Sequence, residues 1–200
     1  MKIYLARHGE TDWNAEKRLQ GWTDISLNEK GRGQAKELQS ILSAISLEAT
    51  YCSALKRSIE TAEIVDRQPI VRCVELNEQS LGTYEGVALS EEEFQRFQQL
   101  RTDTNYRPEG GESRSEHLQR VRKALGQIGS GHSEDGQVLI IGHGGTNNLI
   151  LQELLKIQTD LMFRIANHEV FLIEWLKEDN PVLSKYFGSA GWKPADINAD

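Results

Sequence analysis

Val138-Leu139-Ile140-Ile141-Gly142-His143-Gly144-Gly145 is the stretch on which the fold turns. Four consecutive aliphatic residues suit a short strand buried on both faces, as in a parallel sheet. A polar turn, Gly131 to Gly136, precedes them. A helical pattern with Leu149, Ile150, Leu154 and Leu155 follows. The N-terminus repeats the arrangement: Ile3 to Ala6 is an apolar run that stops at Arg7-His8-Gly9. In open α/β sheets ligands bind beyond the carboxyl ends of the strands. Neighbouring strands would therefore bring His8 and His143 to one edge.

The rest of the chain supplies further strand and helix units. Asn28-Glu29-Lys30-Gly31 precedes a helix carrying Ala35, Leu38, Ile41, Leu42 and Ile45. Thr50 to Cys52 reads as a second strand, and Ser53 as the cap of a helix with Leu55, Ile59, Ala62 and Ile64. Ile70 to Val74 reads as a third strand, and Asn77 to Gly86 as a long functional loop. Ser90, followed by Glu91, Glu92 and Glu93, starts a helix that runs to about Leu100. Ser113 caps another, with Leu118, Val121, Leu125 and Ile128 on one face and Gly126 and Gly129 weakening its end. Val170–Trp175 and Val182–Tyr186 read as two late strands, and residues 188–200 as an irregular tail. The prediction is one domain over residues 1–200, a three-layer α/β/α fold with a mostly parallel central sheet.

Composition narrows the function. The chain has 200 residues, 38% hydrophobic and 26% charged, within the usual range for globular proteins. Its formal net charge of −7 repels phosphate backbones and argues against nucleic acid as partner. Any small anion must be held by a local cluster of arginines. No apolar run of about 18 residues is present, so no membrane span is expected. Met1 to Leu5 enters a strand pattern without a signal peptide's apolar region, and a cytoplasmic location is the expectation. Cys52 and Cys73 form no C-x-x-C pair and read as buried free thiols.

Phosphoryl transfer fits the residues at the predicted edge. Its transition state spreads negative charge over equatorial oxygens, and catalysis is mostly positioning and electrostatics. Arg7 has a planar fork that matches two phosphate oxygens, and Arg57 supplies a second. A neutral His8 imidazole can attack phosphorus and carry it covalently. Glu78 can protonate the leaving oxygen. With cations already supplied by arginine, neither metal nor cofactor is required. Each residue alone also has a plain structural reading: a hydrogen-bonded strand-end histidine, a solvated helix arginine, a loop acid. The joint pattern, glycine after both histidines and arginine before the first, carries the argument.

At these residues the chain resembles the histidine phosphatase superfamily, with its phosphoglycerate-mutase-like fold. Arg7-His8-Gly9-Glu10-Thr11-Asp12-Trp13-Asn14 resembles the family signature R-H-G-E-T-x-W-N. Gly21, Leu27 and Gly31 to Ala35 resemble the elements that follow it. Ser53-Ala54-Leu55-Lys56-Arg57-Ser58 with Thr61, Leu76-Asn77-Glu78 with Gly82 and Glu85-Gly86, Gly110-Gly111-Glu112-Ser113 and Gly142-His143-Gly144-Gly145 match later elements in order. The resemblance implies His8 as nucleophile, with Arg7, Arg57 and His143 on the phosphoryl oxygens and Glu78 as general acid and then base. It implies Asn14, Thr11 and the Gly144 N–H as further phosphate ligands. Substrate selection would fall to Gly21, Trp22 and Thr23, to residues 79–112 as a lid segment, and to His168.

Gly142 departs from the family's usual serine, and Thr146-Asn147-Asn148 from its usual apolar and arginine positions. Trp13 and Trp22 read as packing residues at the pocket mouth, His117 and His132 as surface residues. The implied substrate is a small phosphomonoester, with phosphate as product. The lid segment lacks the mutases' arginine pair and proline-rich element, which favours hydrolysis. A cofactor-dependent mutase is the runner-up and a non-catalytic phosphate-binding module the third reading. A homodimer is ordinary for the family, although no segment here demands one.

Overall fold

A computed structural model describes residues 1–66, 69–157, 166–167, 169–175, 182–186 and 192–194. Its strands are β1 (Lys2–Arg7), β2 (Ala49–Ser53), β3 (Ile70–Cys73), β4 (Gln137–Gly142), β5 (Val170–Glu174), β6 (Val182–Tyr186) and β7 (Trp192–Pro194). Its α-helices are α1 (Asp12–Ala15), α2 (Glu29–Leu42), α3 (Lys56–Val65), α4 (Glu91–Leu100), α5 (Arg114–Gly131) and α6 (Gly144–Leu155). The seven strands form one sheet in the order β3-β2-β4-β1-β5-β6-β7. The β3-β2-β4-β1 half is parallel. From β1 through β5 and β6 to β7 the pairing is antiparallel.

Strand alternation splits the core in two. Ile3, Leu5, Val138 and Ile140 face one way and pack with Val121, Leu125 and Ile128 of α5 and Ile150, Leu151 and Leu154 of α6. Tyr4, Ala6, Leu139 and Ile141 face the other way, against Leu38 and Leu42 of α2 and Ala62 and Val65 of α3. A period of two on the strands thus meets helices on both faces, which gives the three layers. Asn28 caps α2, Ser90 caps α4 and Ser113 caps α5, each by accepting a backbone N–H; the last two form full capping boxes.

Several expectations need correction. The expected parallel pairing holds from β3 through β2 and β4 to β1, and the late strands add antiparallel hairpin-like neighbours rather than crossover units. The tail read as irregular contributes β7, paired with β6. Ser53 does not cap α3. The cap position is Leu55, without a side-chain bond, because the Ser53 hydroxyl is engaged by His143. His117 is buried, not superficial, and His132 is half-buried between Tyr51 and Glu48. Cys52 is buried but Cys73 only half so. The third strand stops at Cys73 because Val74–Leu76 forms a short 3-10 turn, and the expected long loop Asn77–Gly86 contains another, Gly82–Tyr84. No helix among the described residues is long and apolar enough to cross a membrane.

Candidate active site

Register builds the site. In the parallel β1–β4 pair, Arg7 stands opposite Gly142, so His8 and His143 are the next residues out. The His8 N–H donates to the Gly142 carbonyl at 3.1 Å, and the two imidazole rings lie 5.0 Å apart. In the adjacent β2–β4 pair Cys52 stands opposite Ile141, which puts Ser53 at the same edge. Its hydroxyl lies 2.7 Å from His143 Nε2. α3 begins at once after β2 and carries Arg57 in its first turn, where its Nε donates to His143 Nδ1 at 3.3 Å.

These contacts fix the tautomers. A guanidinium Nε can only donate, so His143 Nδ1 carries the lone pair and Nε2 the proton given to Ser53. His8 Nδ1 lies 2.7 Å from the carbonyl of Gly9, which can only accept. Nδ1 of His8 therefore holds the proton, and Nε2 keeps a free lone pair. Burial holds the pKa of His8 well below the usual histidine range, and Arg57 and Arg7 press it further down. His143 is lowered in the same direction by burial, then by Arg57, His8 and Arg7. Both imidazoles are neutral at neutral pH.

The guanidinium of Arg57 is almost wholly buried, yet it is well satisfied. Nη1 donates to Thr23 O at 2.9 Å and Nη2 to Gly21 O at 2.7 Å. Burial brings its pKa down to about 10, so it stays charged at neutral pH. The loop that supplies those carbonyls is itself clamped by Glu85. That carboxylate accepts the N–H groups of Trp22 and Thr23 at 2.9 Å each, the Thr23 hydroxyl at 2.6 Å and the Leu81 N–H at 3.0 Å.

Glu78 reaches the same edge from the loop after β3. Its carboxylate accepts the N–H of Gly145 at 2.8 Å and of Thr146 at 3.1 Å, at the N-terminus of α6. A side chain at Gly145 would fill that space: a Cβ there would stand 2.5 Å from Glu78 Oε1. The loop backbone is gripped by Arg120 of α5, which donates to the carbonyls of Glu75 (2.9 Å), Asn77 (2.5 Å) and Glu78 (2.7 Å) and pairs with Glu112. Trp22 Nε1 adds a bond to Glu78 O at 2.5 Å.

A cleft of about 270 Å³ opens over these groups, lined by Arg7, His8, Asn14, Gly21, Glu78 and Gly145, with Lys17, Arg18 and Arg101 around them. Arg57 and His143 stand behind His8, each about 1% exposed. Gly144 N-caps nothing itself but opens α6, with the Arg7 guanidinium carbon 3.7 Å from where its Cβ would be. Thr11, Trp22 and Thr23 lie outside the cleft lining. Thr11 caps α1 and bonds Asn14 and Gln20; Trp22 and Thr23 hold the Glu78 loop and Arg57. His168 lies outside the described residues. Its neighbour Asn167 donates to His8 O at 2.8 Å. Among the described residues no group of three or more His, Cys, Asp or Glu is gathered as a metal site.

Sequence reasoning missed Ser53 as a histidine partner, Glu85 and Arg120 as clamps, and His117. His117 Nε2 lies 3.0 Å from the Thr146 hydroxyl, which touches the Asn77 carbonyl at 2.9 Å. Periodicity held a signal for it, since 117, 121, 124 and 128 share one face of α5.

Two imidazoles at a parallel sheet edge, buried guanidiniums and a facing carboxylate define a phosphoryl-transfer enzyme of the phosphatase or mutase type. The chain belongs to the histidine phosphatase superfamily (branch 1), whose family model matches residues 3–187. It is 36% identical over 155 residues to phosphoglycerate mutase-like protein 4 of Arabidopsis thaliana, covering 72% of this chain and 66% of that one. It is 33% identical over 180 residues to the uncharacterized phosphatase PhoE of Bacillus subtilis (strain 168), covering 88% and 89%. Among solved structures, the alpha-ribazole phosphatase of Shigella flexneri superposes with a TM-score of 0.73 at 27% identity, over 86% of this chain and 90% of that one.

Proposed function

We propose that the protein is a phosphomonoester hydrolase that works through a phosphohistidine on His8 and uses arginines where other phosphatases use metal. The observation that carries this reading is the pairing of a neutral His8, its Nε2 lone pair free, with Arg7 in one cleft with Glu78. Nε2 attacks phosphorus as the ester P–O bond breaks, and the Glu78 carboxyl gives its proton to the departing oxygen. Arg7 and the Gly144 N–H take the charge on the equatorial oxygens, and Arg57 keeps His143 oriented against the phosphorylated ring. In the second step the Glu78 carboxylate removes a proton from water. The water oxygen bonds phosphorus, the P–N bond breaks, and inorganic phosphate leaves with His8 neutral again.

A phosphoglycerate mutase is the second reading, favoured by the mutase-like relative. Two assays separate them. Phosphate release from 4-nitrophenyl phosphate in excess chelator, with an acid-labile phosphate label on the protein that His8→Ala abolishes, is expected for the hydrolase. Labelling that survives His8→Ala removes this nucleophile. Conversion of 3-phosphoglycerate to its 2-isomer without phosphate release selects the mutase.

A further inference from the structure

Two buried polar side chains outside the cleft lining meet beside Glu78: His117 of α5 and Thr146 in the first turn of α6. Thr146 is wholly shut off from solvent and His117 about 1% exposed. Burying an imidazole and a hydroxyl between packed helices is costly unless each is hydrogen-bonded. Thr146 also belongs to the stretch Thr146-Asn147-Asn148, where the chain departs from its family.

The protons of this group follow from its contacts. The Thr146 hydroxyl oxygen lies 3.0 Å from His117 Nε2, 2.9 Å from the Asn77 carbonyl and 3.4 Å from Glu78 Oε1. A carbonyl and an ionised carboxylate only accept, so the hydroxyl proton goes to one of those two, and His117 Nε2 donates to the hydroxyl. His117 carries a single ring proton. Burial, then Arg120, Arg101 and Arg114, hold its pKa well below the usual histidine range, against a hydrogen bond with the Asn77 backbone. With the imidazole N–H on its oxygen, the hydroxyl turns between two acceptors.

The proposed reaction uses Glu78 first as an acid and then as a base. The N–H groups of Gln79, Gly145 and Thr146 donate to its carboxylate at 2.9, 2.8 and 3.1 Å, but they are fixed in the backbone and cannot follow that change. A hydroxyl can. We infer that Thr146 and His117 are positioning residues for Glu78. While Glu78 holds its proton, the Thr146 hydroxyl donates to the Asn77 carbonyl. Once that proton has gone to the leaving oxygen, the hydroxyl turns to the carboxylate, and His117 Nε2–H holds its oxygen throughout. Only a hydrogen bond changes acceptor. The inference rests on the phosphatase reading and adds what steadies its acid–base group through both steps.

Glu78 is also faced by Arg7 and His8 at the end of β1, by Arg57 of α3, by Arg101 after α4 and by Arg120 of α5, the last paired with Glu112. His143 stands beside His8 before α6. The variants that test the inference leave all of these in place.

The test follows kcat/KM against pH for phenyl phosphate, whose leaving oxygen needs a proton. Without the hydroxyl the Glu78 carboxyl keeps its proton to higher pH. In Thr146→Val the alkaline limb should therefore move up by about half a unit to one unit. Thr146→Ser keeps a hydroxyl and His117→Gln keeps an N–H donor, and both should hold the limb at its wild-type position. His117→Leu removes the donor that polarises the hydroxyl and should move the limb upward by less than Thr146→Val does. A merely structural role lowers the plateau in Thr146→Val and leaves the limb where it was, and that result overturns the inference while phosphatase activity stands. An equal shift in Thr146→Ser does the same. If Thr146→Val does not fold, coincident limbs for His117→Leu and His117→Gln overturn it. A wild type that releases no phosphate from phenyl phosphate fails the phosphatase reading itself, and the inference falls with it.

Discussion

Acidification from pH 7.5 to 5.5 should strip stability from this fold, through three imidazoles that the structure keeps neutral. Burial, followed by neighbouring arginines, sets His8, His117 and His143 well below the ordinary value of 6.5. The unfolded chain has no such environment and takes up a proton at each site near pH 6.5. Below that pH the unfolded state binds more protons than the native one, so stability falls as pH falls, and it goes on falling until the native pKa values are reached. Over these two pH units each unfolded histidine goes from about 0.1 to about 0.9 protons. Integrating that difference gives about 1.4 kcal/mol per site and about 4 kcal/mol for the three, as an upper bound. Typical domains have only about 5–15 kcal/mol in total. The carboxylates held low, such as Glu75 at about 2, titrate below this window and do not blur it. Urea unfolding at the two pH values measures the loss. His117→Gln should reduce it by about a third, and NMR titration of the ring protons should show native-state protonation only well below the ordinary histidine range. A stability change under about 1 kcal/mol, or folded imidazoles that titrate near 6.5, would refute the neutral-nucleophile argument.

Two variants probe the supports of the site. Glu85→Ala removes the acceptor of four hydrogen bonds from the Gly21–Thr23 loop and Leu81, and through that loop frees Arg57. It should cost about 2 kcal/mol or more in urea unfolding and lower kcat about tenfold or more at permissive temperature; unchanged kcat would disconnect Glu85 from Arg57. Gly142→Ala would drive a Cβ into the amide oxygen of Asn147, which is buried, without a hydrogen-bond partner, and tied through its nitrogen to Ala6 O. The single change should cost about 1–3 kcal/mol, and its combination with Asn147→Ala should cost less than the sum by about 1 kcal/mol. Strict additivity would show that the two positions do not share that space.

The parts of the fold that a single sequence exposes are those written in local periodicity. The runs Ile3–Ala6 and Val138–Ile141, each followed by a histidine and glycine, point to the sheet edge where His8 and His143 meet. Parallel neighbours with Arg7 opposite Gly142 then follow from the alternation of the two hydrophobic faces. The antiparallel edge was not legible, because strand direction depends on which neighbour a late strand meets. Nor was β7 at Trp192–Pro194, which is too short to show a pattern. The clamps escaped for a related reason. Glu85 and Arg120 act on backbone atoms far along the chain, and a carbonyl carries no sequence signature. Ser53 and His117 were misread because both look local, one as a helix cap and the other as a helix surface residue, and tertiary contacts outbid those roles.

The departure at Gly142 shows how such long-range contacts substitute for a motif. A serine at this position would add a hydroxyl next to His143. Here the space above Gly142 is taken by the side chain of Asn147, one turn into α6. Asn147 donates its backbone N–H to His143 O at 2.8 Å and its side-chain nitrogen to Ala6 O at 2.9 Å. It therefore ties the N-terminus of α6, where the Gly145 and Thr146 N–H groups donate to Glu78, to β1, the strand that runs into His8. The Gly142 carbonyl, held in the same knot, accepts the His8 N–H. The Asn147 side chain and backbone thus keep both histidines on a common frame although Gly142 departs from the family's usual serine.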